Sequence, residues 1–545
     1  MSSRSSAYLT HRLLGPLVHV RLGGTLDETF GAMDLRFRPP IDDAFVSDEP
    51  STDRDTAWVL DLAHLERVTS WGVQHWLKFI KEAERSTRSV LIARAPPCVV
   101  DQLNMIEGFQ GSATVLSVLA PYVCRACNHA QLRPLVLAEH MAAIRAGQAP
   151  VQSCTSCYLP LEFDDFAVHF FAFATTQREA PLAPQVVTFN EWLCGPDSTD
   201  EVDARFLAHI SGANLYAVES EGLTPSKPAI ARPTFALPPR RVAAVASKPT
   251  APAAPPSMLV AYLGQTASEA APARTSVLAA GYRQAGRPDD ANVFIKQLTT
   301  TLAVDPGGRP VVNLFDGQLD AHHAALFEAP GPLLLLAGRE VEKTPSHWEL
   351  SLLSRLLRGV KLLPPGSSET TYKIDSMEAI HAVSQATGEL VAARKGASAT
   401  RDIAIDVAYE LMSNALLDAP VDDRGEPKYA FDRENVATVD AADVCECSLS
   451  EHEGLLFIRV IDHFGRLTKA HLANAVARSG ARQVALNMTG GGAGLGFPRI
   501  LAGADALVVC VRPSQRTEVC AVIRLSETAR RRNRLPKSLF VDAPS

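Results

Sequence analysis

Between Gly222 and Met258 the chain contains SKPAIARPTFALPPRRVAAVASKPTAPAAPPS, a run of Pro, Ala and Ser that no compact core can absorb. Proline fixes φ and removes a backbone donor, and the small residues offer little surface to bury, so residues 222–258 are expected to form an extended linker. The chain is thereby split into two arms. Its 545 residues exceed a single core of about 100 to 200 residues, which predicts about three or four folded units. A formal charge of -7, with no Lys/Arg stripe interleaved with aromatics, argues against nucleic acid as a partner. The opening MSSRSSAYLTHRLLG has no sustained apolar stretch, and the longest apolar runs, such as Pro332 to Ala337, are too short to span a bilayer. No membrane association and a cytoplasmic location are expected.

In the N-terminal arm, LVHVRL (Leu17 to Leu22) and WVLDL (Trp58 to Leu62) read as strands, VQHWLKFIKEAERS as a helix and SVLIARA as a further strand. This order implies an α/β layer domain over residues 1–120. Over residues 121–175, Cys124 and Cys127 in CRAC and Cys154 and Cys157 in CTSC form two C-x2-C pairs separated by the 26 residues 128–153. Four thiolates in two knuckles suit closed tetrahedral coordination of structural Zn2+, as in a small zinc ribbon, with PLVLAEHMAAIRAG as a helix between the knuckles. Redox use of the pairs is the competing reading, although neither opens a helix in a βαβ unit. His129 stands near the first pair but is not needed as a ligand. Cys98, Cys194, Cys445, Cys447, Cys510 and Cys520 are expected in cores or strands. Residues 176–221 carry no assignment.

After the linker, residues 259–366 alternate helical stretches with VVNLF and PLLLLAG, and WELSLLSRLLRGV has amphipathic spacing, so an α/β segment without evident chemistry is expected. Residues 370–525 contain three motifs in order. In IAIDVAYELMSNALLDA, Glu410 and Asn414 lie four apart and share one helix face. In LLFIRVIDHFGRL, Asp462 ends an apolar strand and Gly465 begins the following turn. In TGGGAGLGFPRIL, the glycines, among them Gly492, Gly494 and Gly496, run into an apolar helix, where backbone N–H groups can cradle phosphate. No GK[ST] follows, so this is not a Walker A loop. Each motif alone is also an ordinary helix face, strand end or loop. Residues 526–545 read as a basic tail.

The ordered set E-L-x-x-N-A, D-x-x-G and G-x-G-L-G resembles the GHKL, or Bergerat-fold, ATPases, an α/β sandwich, and in its short form the anti-sigma-factor serine kinases. The resemblance implies ATP and Mg2+ as cofactors. Asn414 would hold magnesium, Asp462 would accept the adenine amino group, and Thr517, in RTEV, would support the adenine. Gly465 would shape the adenine turn, and Gly492, Gly494 and Gly496 would close over the phosphates. Glu410 would be the general base, with Arg478 and Arg482 adding charge from a lid. The family's usual D-x-G-x-G is here DHFGRL, with one glycine three residues after the Asp.

GGTLDETF (Gly23 to Phe30) and the strand-loop-helix that follows resemble the STAS fold of anti-sigma-factor antagonists. Thr69, Ser70, Trp71 and Gly72 stand where that family has D-S-S-G, so Trp71 replaces the phosphoaccepting serine and Ser70 is left as an expected helix cap. The combination implies a bacterial-type signalling protein, with a regulatory protein of the antagonist or sigma-factor type as partner and homodimerisation compatible. Two activities remain open: a serine/threonine kinase or ATPase, and a non-catalytic ATP-responsive scaffold.

Overall fold

The computed structural model describes residues 7–28, 30, 56–127, 129–177, 181–196, 199–211, 260–263, 282–299, 305–338, 345–364, 367–394, 398–430, 433, 436–479, 496–526, 532 and 535–544. Two compact units are separated between residues 237 and 238. That division falls within residues 222–258, which themselves lie outside the described residues.

In the first unit, β1 (Tyr8–Leu14) pairs antiparallel with β2 (Leu17–Leu26), and β3 (Ala57–Val68), β4 (Ser89–Ala93) and β5 (Thr114–Val115) continue in parallel. The parallel neighbours β3–β4 and β4–β5 are joined by helical crossovers, α1 (Ser70–Ser86) and α2 (Pro97–Met105), while the connection from β2 to β3 lies largely outside the described residues. The cap of α1 differs from expectation. Thr69, the last residue with extended backbone, accepts the Gly72 N–H at 3.0 Å, and Ser70 is already helical. Gly72 is required there because a Cβ would lie 2.0 Å from the Leu26 carbonyl oxygen.

A separate three-stranded sheet, order β7-β6-β8, consists of β6 (Ser117–Cys124), β7 (His129–Val136) and β8 (Glu162–Phe163). The helix expected between the cysteine pairs is shorter than its pattern. Leu135 and Val136 pair with Val118 and Ser117 in the sheet, and α3 begins only afterwards (Leu137–Arg145). Next come α4 (Ala167–Phe170) and α5 (Ala172–Thr176). Residues 176–221 supply α6 (Pro184–Leu193) and α7 (Thr199–Ile210), which bury Phe189 and Phe206 with Leu17, Val59 and Leu91 of the first sheet.

A buried polar cluster ties α7 to this sheet. His19 on β2 places Nδ1 2.7 Å from Asp203 on α7 and Nε2 3.3 Å from Asp61 on β3, and all three side chains are fully buried. Arg21 reaches Asp203 and Asp200, Arg94 reaches Asp61, and Arg12 lies 3.7 Å from Asp203. A neutral imidazole has only one N–H, so two carboxylate contacts require the imidazolium. Burial works against that charge, but the hydrogen bonds and charges of Asp203 and Asp61 prevail and raise the His19 pKa above 6.5.

The second unit is built on one eleven-stranded sheet. Its parallel part comprises β9 (Val260–Leu263), β10 (Arg283–Gln284), β11 (Val293–Gln297), β12 (Val311–Phe315) and β13 (Leu333–Ala337), in the order β10-β9-β11-β12-β13. α8 (His347–Leu357) follows. The remaining strands are β14 (Glu369–Ile374), β15 (Cys445–His452), β16 (Leu455–Asp462), β17 (Ala506–Arg512), β18 (Arg516–Arg524) and β19 (Ser538–Asp542). Between β14 and β15 come α9 (Met377–Ala392) and α10 (Ser398–Ser413); between β16 and β17 come α11 (Lys469–Ser479) and α12 (Gly496–Gly503). Period-two alternation divides the strands between two cores. Leu335, Val509, Leu539 and Val541 share a core with residues of α9 to α12, while Leu334, Val508, Val522 and Phe540 pack with Leu350 and Leu353 of α8.

Two expectations about boundaries are corrected. Residues 259–366 do not form a sheet of their own, because β13 pairs with β19. Residues 526–545 are not simply a basic tail: β19 runs antiparallel to β13 and parallel to β17, and Arg532 is buried against Asp505. Among the described residues no helix is long and apolar enough to cross a membrane.

The His19 cluster predicts a pH response. A folded-state pKa above the unfolded value of about 6.5 gives a contribution fully present below that pH and lost as pH rises through the folded value. Hydrogen-exchange protection of residues 199–210, corrected for intrinsic rates, should therefore be greatest below about pH 6.5 and fall as pH rises above it. Asp203→Asn should cost roughly 3 kcal/mol at about pH 6 and flatten the response. Identical protection in both proteins as pH rises would contradict the cluster's role.

Candidate functional site

The four expected ligand cysteines converge. The Sγ atoms of Cys124, Cys127, Cys154 and Cys157 all lie within 4.8 Å of one another, with 3.5 Å between Cys124 and Cys157. Tetrahedral zinc with Zn–S bonds of about 2.3 Å would space its sulfurs by about 3.8 Å, so this set could hold a metal ion such as zinc. Cys124 ends β6 and Cys127 sits in the β6–β7 turn. The second knuckle is closed by the bridge Ser153–Pro160, with the Cys154 N–H donating to the Leu159 carbonyl at 2.8 Å.

Donors already face the sulfurs. The Cys127 N–H approaches Cys124 Sγ at 3.4 Å, and Cys154 Sγ accepts from the Ser156 N–H at 3.4 Å and from Gln131 Nε2 at 3.1 Å. Backbone donors at Cys157 and Ser156, reinforced by Gln131, bring the Cys154 thiol down to about 6, while hydrogen bonds with Cys157 and Cys124 push the Cys127 thiol up to about 12, so without a metal the four share protons around the Cys154 thiolate. His129 faces Cys124 across the hairpin and lies outside the cluster. Cys445 and Cys447 instead line the apolar core, where burial pushes the Cys447 thiol up to about 12.

In the second unit, Glu410 lies in the last turn of α10, which continues as a π turn over Asn414–Asp418. Glu410 is buried, and Asn414 is half-buried. Both side chains meet the start of α12. A Cβ on Gly496 would lie 2.9 Å from Asn414 Oδ1 and 3.2 Å from Glu410 Oε2, so a larger residue there would displace both side-chain ends. Among the described residues the Asn414 amide nitrogen has no hydrogen-bond partner. Single π turns of this kind often mark functional sites.

Asp462, Gly465 and Thr517 form a second group at the end of β16. Asp462 pairs across the sheet with Thr517, and its Oδ1 accepts the Phe464 and Gly465 N–H groups at 2.9 and 3.3 Å. Burial raises the Asp462 pKa, against the opposing pull of these hydrogen bonds and those from Thr517. The unusual D-x-x-G spacing now has a physical account. The Asp462 carboxylate closes a turn over the next two residues, and Gly465 then takes φ +61°, where a Cβ would lie 2.1 Å from the Arg512 carbonyl oxygen. The π turn packs on β16, the strand that ends at Asp462.

Arg478 lies half-buried in the last turn of α11, whereas Arg482, Gly492 and Gly494 lie outside the described residues. Three further residues emerge only from the structure. Asp418 ends the π turn and pairs with Arg433; burial raises its pKa, Arg433 opposes that, and the Glu410 charge adds to it. Arg499 on α12 places Nη1 3.6 Å from Glu410 Oε1. The spacing of Gly496, Arg499 and Gly503 along one helix face was the available signal for Arg499.

Elemental analysis of protein purified without chelator should find about one zinc per chain. Cys154→Ser should lower that content, and chelation should loosen residues 117–163 in hydrogen exchange. A metal-free reduced protein with a reversible disulfide within the cluster would instead establish redox use.

Neither protein-family models nor curated protein sequences give a match to this chain.

Proposed function

We propose that the second unit binds ATP with magnesium and transfers the γ-phosphoryl group to a serine or threonine of a separate regulatory protein, as the resemblance to GHKL serine kinases implies. The observation that carries this reading is the contact of Gly496 with both Glu410 and Asn414, beside an Asn414 amide nitrogen without a partner. A carboxylate, an amide and an approachable helix N-terminus are the groups that phosphoryl transfer needs together. Asp462 and Thr517, on paired strands, supply the acceptor and hydroxyl for the adenine edge.

Glu410 takes the proton of the attacking hydroxyl through Oε2, the oxygen nearer Gly496. The hydroxyl oxygen bonds to the γ-phosphorus as the bond to the β,γ-bridging oxygen breaks, and ADP leaves with that electron pair. Asn414 would hold magnesium, which would supply positive charge to offset that on the transferred group. Trp71 stands at the phosphoacceptor place of the STAS-like unit, and an indole cannot accept phosphate, so the substrate is another protein of the antagonist or sigma-factor type. The parallel β2–β5 sheet with its α1 crossover supports the STAS-like reading. We assign structural zinc to the cysteine cluster, because four thiolates leave no open position, and a reducing, cytoplasmic compartment to the chain.

Calorimetry of the full chain with ATP and magnesium, alongside ADP production, tests the proposal. Glu410→Ala should bind ATP within about twofold of wild type and lose turnover by roughly a hundredfold. Asn414→Ala should lose the magnesium-dependent part of the affinity. Absence of ATP binding at millimolar concentration would falsify the reading. ADP production in this test reports basal hydrolysis, with water in place of the acceptor hydroxyl; binding without it would leave ATP binding standing and favour the non-catalytic, ATP-responsive class only if added serine/threonine acceptor protein also fails to elicit ADP.

A further inference from the structure

α10 and α12 meet along an antiparallel seam whose three steps differ in chemistry. At one end Gly503 lies against Val407 and Ile403, where a Cβ would come within 2.5 Å of Val407 Cγ2. At the other end Gly496 lies against Asn414 and Glu410. The residues of α12 fall at i, i+3 and i+7, and those of α10 at matching intervals, so one face of each helix is committed to the seam. The two glycines let the backbones approach closely. Arg499 fills the middle step, with its side chain about one-tenth exposed and Glu410 less so.

We infer that Arg499 is a positioning residue for Glu410. Its Nη1 lies 3.6 Å from Oε1, an ion-pair distance, while Oε2 is the carboxylate oxygen at the Gly496 end of the seam. A glutamate has three rotatable side-chain bonds, and a base that must meet one hydroxyl proton gains from being held in one rotamer. The ion pair spans the two helices, so the carboxylate is fixed to the element that begins at Gly496. Neither a glycine loop nor a helix face alone could hold it there. The inference rests on the proposed role of Glu410.

The test uses the full chain with Arg499→Leu and Arg499→Lys, measuring ATP affinity in the presence of magnesium separately from ADP production. Arg499→Leu should lower turnover by roughly tenfold or more while affinity changes by less than about twofold. Arg499→Lys should restore most of the rate, because a single Nη1 contact at 3.6 Å asks for a point charge and not a fork. Should the leucine protein not fold by circular dichroism, Arg499→Gln replaces it with the same expectation. Unchanged turnover would overturn the inference. So would a loss of affinity in proportion to turnover, which would make Arg499 a phosphate ligand, or a lysine protein as slow as the leucine one. Wild-type protein that binds no ATP removes the proposed function and this inference together; wild-type protein that binds ATP without producing ADP removes the inference and leaves nucleotide binding standing.

Discussion

The second unit depends on β19. Five residues near the chain end enter between β13 and β17, and without them the sheet would have two unpaired edges in its interior. Leu539, Phe540 and Val541 are fully buried, and burying each such side chain contributes about 1.5 to 3 kcal/mol. Ser538 adds a buried hydroxyl that donates to Glu349 on α8 and to which the Ala337 N–H donates at 2.9 Å. The parallel strands β9 to β13 and the antiparallel strands around Asp462 therefore form one continuous sheet. Arg532, held by Asp505 and the Arg524 carbonyl, anchors the approach to this strand.

That sheet is the floor on which the candidate site is assembled. β16 ends at Asp462 and β18 presents Thr517 beside it, while the π turn after α10 rests on β16. The α10–α12 seam then brings Glu410 and Asn414 to Gly496. Each of these steps relies on a close backbone approach: Gly503 under Val407, Gly496 under Asn414, and Gly465 under the Arg512 carbonyl. An alanine at Gly465 would meet the Arg512 carbonyl and one at Gly503 the Val407 side chain, whereas one at Gly496 would displace the ends of Asn414 and Glu410 themselves.

Much of this was legible in the sequence where periodicity and chemistry coincide. The alternation of LLFIRVID marks a strand, and the i, i+4 relation of Glu410 and Asn414 places both on one helix face. The two C-x2-C pairs predict four converging thiols, and they converge. What was illegible has physical reasons. β19 is five residues long and follows a run of arginines, so local composition suggests a solvated tail, whereas its burial is decided by strands distant in sequence. The cap of α1 differed by one residue because Thr69 and Ser70 are both able caps, and only the backbone turn selects between them. Arg499 sits in a glycine-rich context where a charge suggests a surface, yet it faces Glu410 on another helix.

The central claim is that the Asp462 end of β16 and the Gly496 end of α12 belong to one nucleotide site. A crystal structure of the full chain with a non-hydrolysable ATP analogue and magnesium tests it most directly. The account predicts adenine against Asp462 and Thr517, phosphates at the start of α12 and the metal on Asn414. Nucleotide bound away from these residues, or absent at saturating concentration, would contradict it.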